Sequence, residues 1–342
     1  MSQFQWGLII TGALLLLGIL LQVLWLAWRN RARRVIAPSE ADQVPTNLEP
    51  TLNDTVADDL EFALPTPEKK PGLDALIDVI APIALDTAVS GEALLAAMPP
   101  TRRVGSKPFA IEGLVHGQLQ WEFPQVGQRY SQLQAGIQLA NRSGALNDIE
   151  FSEFVMATQT FCDLVGGSPD FPDMRQEIAR ARELDQFASD HDAQLSFVLR
   201  ARRAAWSASY IQQMAAKLGF VPGVMAGRMV VPSSMGGLPP VLSLSFDSQA
   251  ALSEDPAQSA LREVTLSLDV SQVDRGERAF ERMREAAVTL AKDMDGVVTD
   301  DNGMALPAEA LDVIGYELAH LYDTLAQREL AAGSVLARRL FS

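Results

Sequence analysis

Residues Ala260–Val270 read ALREVTLSLDV, and after a short polar break Arg278–Gly296 read RAFERMREAAVTLAKDMDG. In the first run Val264, Leu266 and Leu268 alternate with Thr265, Ser267 and Asp269. That period of two belongs to a strand with one face buried and the other left open. In the second run Phe280, Met283 and Leu290 keep helical spacing, and Gly296 is the expected helix stop in left-handed geometry. Upstream, VLSLSF at 241–246 alternates in the same way. Strands in series, joined to a long helix, predict an α+β fold with an antiparallel sheet covered by helices on one face, in a split βαβ-like layout.

The same order of elements occurs twice. Each copy opens with an apolar strand (Ala75–Ile80, Gln194–Leu199). A helix follows (Ser90–Met98, Ala205–Leu218), then a second strand (Phe109–Leu114, Val224–Val231). Leu119, Trp121 and Phe123 precede Leu242, Leu244 and Phe246 by a constant 123 residues. Ile137 and Leu139 precede Leu266 and Leu268 by 129, and that offset carries Phe151, Phe154, Phe161 and Gly167 onto Phe280, Met283, Leu290 and Gly296. A last helix closes each copy, at Met174–Phe187 and Pro307–Thr324. The reading is of two tandem units, 73–190 and 191–330, with a C-terminal tail at 331–342 ending in Arg338-Arg339-Leu340-Phe341-Ser342. That tail is either a frayed end or a short docking motif.

Ahead of these units, Gly7–Trp28 carries no charge, and 22 residues of helix rise about 33 Å, enough for a bilayer core. Trp6, Trp25 and Trp28 sit as interfacial anchors, and Arg29, Arg31, Arg33 and Arg34 follow. The expectation is an N-terminal transmembrane helix over 1–28, with its N-terminus periplasmic and the body cytoplasmic at a bacterial inner membrane. A cleaved signal peptide carries its charge first and ends in small residues, the opposite polarity. Residues 29–72 read as a basic flank and then an acidic, proline-containing disordered linker. Acids from Glu40 to Glu61 meet no base before Lys69, among Pro38, Pro45, Pro50, Pro65 and Pro67.

A net charge of −15 excludes nucleic acid as a partner, since phosphate binding needs a basic footprint. One cysteine, Cys162, excludes an internal disulfide and reads as a core thiol. His116, His191 and His320 are isolated, with no metal-ligand spacing, and there is no phosphate loop, nucleophile elbow or HExxH. Ser233–Gly237 (SSMGG) has flexible-loop composition, and Asp300-Asp301 offers too few converging oxygens for a cation and reads as a turn. Neither an enzyme nor a cofactor is expected.

The stretch ALREVTLSLDV followed by RAFERMREAAVTLAKDMDGVVTDDNGMALPAEALDVIGYEL resembles the C-terminal domain of the ZipA cell-division family. The long helix running into Gly296-Val297-Val298, the Asp300-Asp301 pair and the helix led by Pro307 carry the likeness, and SGEALLAAM at 90–98 is similar to that family's first helix. The resemblance implies a septal membrane tether for the tubulin-like polymer FtsZ, whose C-terminal tail docks on the helix-free sheet face. In this chain that implies a contact around Val198, Met225, Met229, Thr265 and Ser267, with Arg200, Arg202 and Arg203 as a basic rim. Two departures stand out. The family pattern has one such domain, and its face is apolar, whereas here Ser243, Ser245 and Ser267 populate it. The alternative is a membrane-anchored scaffold or regulator of another envelope process, with the same fold and a different partner.

Overall fold

The computed structural model describes residues 72–252 and 260–342. The anchor at 1–28 and nearly all of the 29–72 linker lie outside the described residues. Among the described residues no helix is long and apolar enough to cross a membrane.

The first half contains β1 (Asp78–Ser90), α1 (Gly91–Ala97), β2 (Arg103–Val104), β3 (Lys107–Val115), β4 (Trp121–Glu122) and β5 (Arg129–Gln138). The hairpin β6 (Ala140–Asn141) and β7 (Gly144–Ala145) leads to α2 (Asp148–Val165), β8 (Gly167–Pro169) and α3 (Met174–His191). Its sheet runs β2-β3-β5-β1-β8, with β4 on β3, all antiparallel. The second half contains β9 (Gln194–Ala201), α4 (Ala208–Ala216), β10 (Val221–Pro222), β11 (Arg228–Val231), β12 (Leu242–Ser245), α5 (Ser248–Ala251) and β13 (Glu263–Asp269). Then come α6 (Ala279–Asp293), β14 (Gly296–Thr299), α7 (Ala308–Gln327) and α8 (Val335–Leu340). Its sheet runs β10-β11-β12-β13-β9-β14, again antiparallel.

In both sheets the first strand lies between the last strand and the strand that precedes the long helix. The 129-residue offset agrees with the registers: Ile137 sits opposite Val79, and Leu266 opposite Phe197. Each long helix packs an aromatic ring against its own sheet, α2 on β3 and α6 on β9. Phe154 of α2 meets Phe109 of β3 edge to face at 5.9 Å, and Phe280 of α6 meets Phe197 of β9 at 6.5 Å. A capping box between Asn147 and Glu150 starts α2 by satisfying its first N–H groups.

Three sequence expectations are corrected. The 123-residue offset pairs the wrong strands. Leu242 and Leu244 are buried in a central strand, whereas Leu119 is 98% exposed and Trp121 lies in the short β4 flap. The strand that takes β12's place beside the penultimate strand is β3, at Phe109 and Ile111. Next, the left-handed residues are Gly166 (φ 69°) and Asp295 (φ 49°), one position before the glycines expected to adopt that geometry. Gly167 and Gly296 instead begin strands, where a Cβ would sit 2.8 Å from Ile83 Cγ2 or 3.1 Å from the Trp206 ring. Finally, the strand expected at Ala75–Ile80 begins at Asp78, after a turn over 75–77.

The last residues form an ordered helix, and of residues 332–342 only Ser342 is exposed. In α8 and just after it, Ala337, Leu340 and Phe341 are buried. Arg339 pairs with Asp78 of β1, and Arg339 O accepts from Gln138 Nε2 of β5. Gln272, beyond β13, donates to Phe341 O at 2.8 Å. Arg142 of the β6–β7 turn bonds Asp192 and Asp269, so the two halves form one compact body.

Candidate functional site: the helix-free face of the second sheet

Along β13, Val264, Leu266 and Leu268 are buried while Thr265, Ser267 and Asp269 are half-buried. The register carries this alternation across the sheet. One covered row is Met229–Leu244–Leu266–Phe197, which lies on the α6 side. Two open rows are Val230–Ser243–Ser267–Ser196 and Arg228–Ser245–Thr265–Val198–Thr299. A third runs Glu263–Arg200–Val297. This face is therefore a field of hydroxyls with Val198, Val230 and Val297 as its apolar members and Arg200, Arg228, Glu263 and Asp269 as its charges; toward β14 it is closed, Val198 and Thr299 being buried. Neighbouring strands stand about 4.8 Å apart, so such a face offers closely spaced donors and acceptors and little apolar area.

The expected site residues divide accordingly. Val198, Thr265 and Ser267 lie on the helix-free side, in adjacent rows, Thr265 and Ser267 half-buried and Val198 buried at 8% exposed. Met229 does not: it sits opposite Leu244, is 3% exposed and belongs to the core. Met225 is 59% exposed at the tip of the β10–β11 hairpin, beside the strands, because 224–227 form a turn and not strand. The arginine cluster also splits. Arg200 stands on the open face near Glu263 (3.8 Å) and packs against Gly303. Arg202 donates through Nε to Gly296 O at 3.0 Å, fastening β9 to the α6–β14 turn. Arg203 is 88% exposed at the rim. Sequence reasoning missed Val230 and Arg228, although the VLSLS alternation on β12 identifies them once the β11–β12 register is known.

Other flagged groups have structural partners. Ser233 and Ser234 donate to Glu277, so the SSMGG segment is clamped; those hydrogen bonds, those from Ser234 foremost, hold the Glu277 carboxyl below its ordinary range. Asp300 accepts from Met304 N at 2.7 Å, closing a turn. His191 stacks on Phe187 at 4.2 Å, and His320 meets Thr324. Cys162 is buried, and burial pushes its thiol up to about 11. Among the described residues no group of three or more His, Cys, Asp or Glu is placed to hold a metal ion.

The second half is thus an α+β domain with one face packed by helices and the other presented outward, the architecture of a partner-binding module. Residues 195–315, from β9 into α7, match the family model described as ZipA, C-terminal FtsZ-binding domain, which supports the ZipA-family assignment of this half. The match spans about a third of the chain. A comparison with curated proteins found no match.

Proposed function

We propose that this chain is a membrane-tethered adaptor of bacterial cell division, which binds the C-terminal tail of FtsZ on the helix-free face of its second half. The family match over 195–315 carries the reading. The charge-free segment Gly7–Trp28 and the four arginines after it support an inner-membrane tether with a cytoplasmic body. The common strand order supports descent of the two halves from one duplicated unit.

The docking residues in this reading are Val198, Thr265 and Ser267, joined by Val230. Arg200 and Arg203 stand at the edge, and Met225 reaches in from the hairpin tip. A face this rich in hydroxyls buries modest apolar area, so affinity is micromolar, about −8 kcal/mol, and several tethers on one polymer supply avidity. Titration of a labelled FtsZ tail peptide by fluorescence anisotropy is the test. Ser267→Phe should tighten binding several-fold and Met225→Asp should weaken it, with circular dichroism unchanged. No binding to the intact chain would favour the second reading, a tether for a different envelope partner, which the polar face itself supports.

A further inference from the structure

The outer edge of the first sheet has a gap. Beyond β3 stand two flaps of two residues each, β2 on Lys107 and Pro108 and β4 on Gly113 and Leu114. Phe109 N donates outward to Arg102 O and Val115 N to Gln120 O, both at 2.9 Å, so the odd-numbered residues of β3 turn their peptide groups to this edge. Ile111 is the odd-numbered residue between the flaps. A groove of about 1030 Å³ opens there. It is lined by β3 itself at Phe109–Glu112, by Leu95 and Met98–Arg102 on the side of α1, and by Trp121–Gln125 on the side of β4. Leu95 and Trp121 are 42% and 36% exposed, so the lining includes large apolar surface open to an occupant.

The chain enters its folded body at this groove. Gly72, the first described residue, is part of the lining, and Leu73 N donates to Glu112 Oε1 at 3.0 Å. The residues just before it read LPTPEKKP, at 64–71. Pro65 and Pro67 alternate there with Leu64, Thr66 and Glu68, which keep their N–H groups. An extended chain turns successive peptide groups to opposite sides, so one side of this stretch can pair with a strand while the prolines lie on the other. That is the arrangement in which sheets accept proline, at an edge. Charge agrees as well. Lys69 and Lys70 are the only bases between Arg34 and Arg102, and the groove is lined by two acids, Glu112 and Glu122, against one base, Arg102. At no more than about 3.6 Å per residue, Lys70 and Lys69 lie within about 7 and 11 Å of Gly72, close to Glu112 whatever path the chain takes.

We propose that this groove is the docking site of the chain's own Leu64–Lys70, which adds to β3 as an edge strand across the gap at Ile111. The peptide groups of Leu64 and Thr66 face β3, and Lys69 and Lys70 stand by Glu112 and Glu122. Open strand edges are templates for other chains, and a segment joined to the body through one glycine occupies this edge at high effective concentration. Docking also fixes the point from which the tether leaves the body. The inference stands independently of FtsZ, because it concerns the first sheet.

The test is residue-resolved hydrogen exchange on the full chain in detergent. The Leu64 and Thr66 amides should exchange at least about tenfold more slowly than their intrinsic rates. Leu95→Asp, a charge placed on a half-exposed groove residue, should abolish that protection while the β1 and β5 amides stay protected. A fluorescein-labelled peptide of residues 63–72 provides a second reading. It should bind a chain whose residues 64–70 are replaced by Gly and Ser about tenfold more tightly than the native chain, where the native segment competes. Intrinsic exchange rates at Leu64 and Thr66, protection that survives Leu95→Asp, or equal peptide binding to the two chains each overturns the proposal. Protection that falls on dilution would place the segment of a second copy in the groove and overturns the intramolecular assignment.

Discussion

At the scale of single residues, Asp295 occupies left-handed backbone that glycine adopts freely, and its side chain lies only 3.8 Å from an exposed Arg203. Asp295→Gly should therefore stabilise the protein by about 0.5–1 kcal/mol, since relief of left-handed strain outweighs a weak surface pair. Urea unfolding of the variant measures it, and a lower midpoint contradicts it. Cys162 should stay silent toward a thiol reagent until the chain unfolds, because only the thiolate reacts and burial holds it protonated. The glycine expectation missed by one position for a clear reason. Both Gly166-Gly167 and Asp295-Gly296 supply a turn and then a close approach, and composition alone cannot assign which residue does which.

At the scale of elements, legibility followed the strength of the alternation. The strand VTLSLD and the helix after it were read correctly, since polar and apolar residues there mark both faces. The strand β11 is Arg-Met-Val-Val, with no polar beat to set its phase, and its orientation comes only from its pairing with β12. That is why Met229 was expected on the open face and lies in the core. The loop Ser233–Gly237 looked flexible because its partner, Glu277, is remote in sequence. With the Glu277 carboxyl held below its ordinary value in the folded state, the clamp contributes stability above the ordinary carboxylate range and loses it as pH falls through the lowered folded value. Protection of the Ser234 amide, taken relative to its intrinsic exchange rate, should fall below that point in the native chain. In Glu277→Gln the Ser234 amide should be less protected relative to its intrinsic rate at neutral pH, with no further loss of protection on acidification, and an unchanged acid dependence of protection would assign the effect to another group.

At the scale of the whole molecule, the two halves are bound by Arg142 and by α8, elements that pattern reading could not place. The segment Val335–Leu340 is too short and too basic to announce a buried helix, and its burial arises from surfaces on both halves. Arg339→Met should cost about 3–5 kcal/mol by stranding the buried Asp78 carboxylate. Burial, foremost, already raises the Asp78 pKa, with Arg339 pulling it back. A raised folded value means that the folded state holds the proton better than the unfolded chain does. The carboxyl therefore destabilises more as pH rises through that folded value and less as pH falls toward the ordinary one. The deficit of Arg339→Met should accordingly shrink on acidification, which thermal melts at neutral and mildly acidic pH would measure. A deficit that stays constant would show that the loss comes from packing of the Arg339 stem and not from the stranded Asp78 charge.

The α8 contact also sets an order of events during synthesis. The surface that needs it includes Asp78 and Gln138, made early, while the Arg339 that meets both follows Gln138 by 201 residues. The first half therefore waits, with a bare carboxylate, until α8 has left the ribosome. A chain interrupted ahead of α8 would carry both sheets yet be left with Arg142 as its link between them, and with a stranded acid that invites quality-control proteolysis.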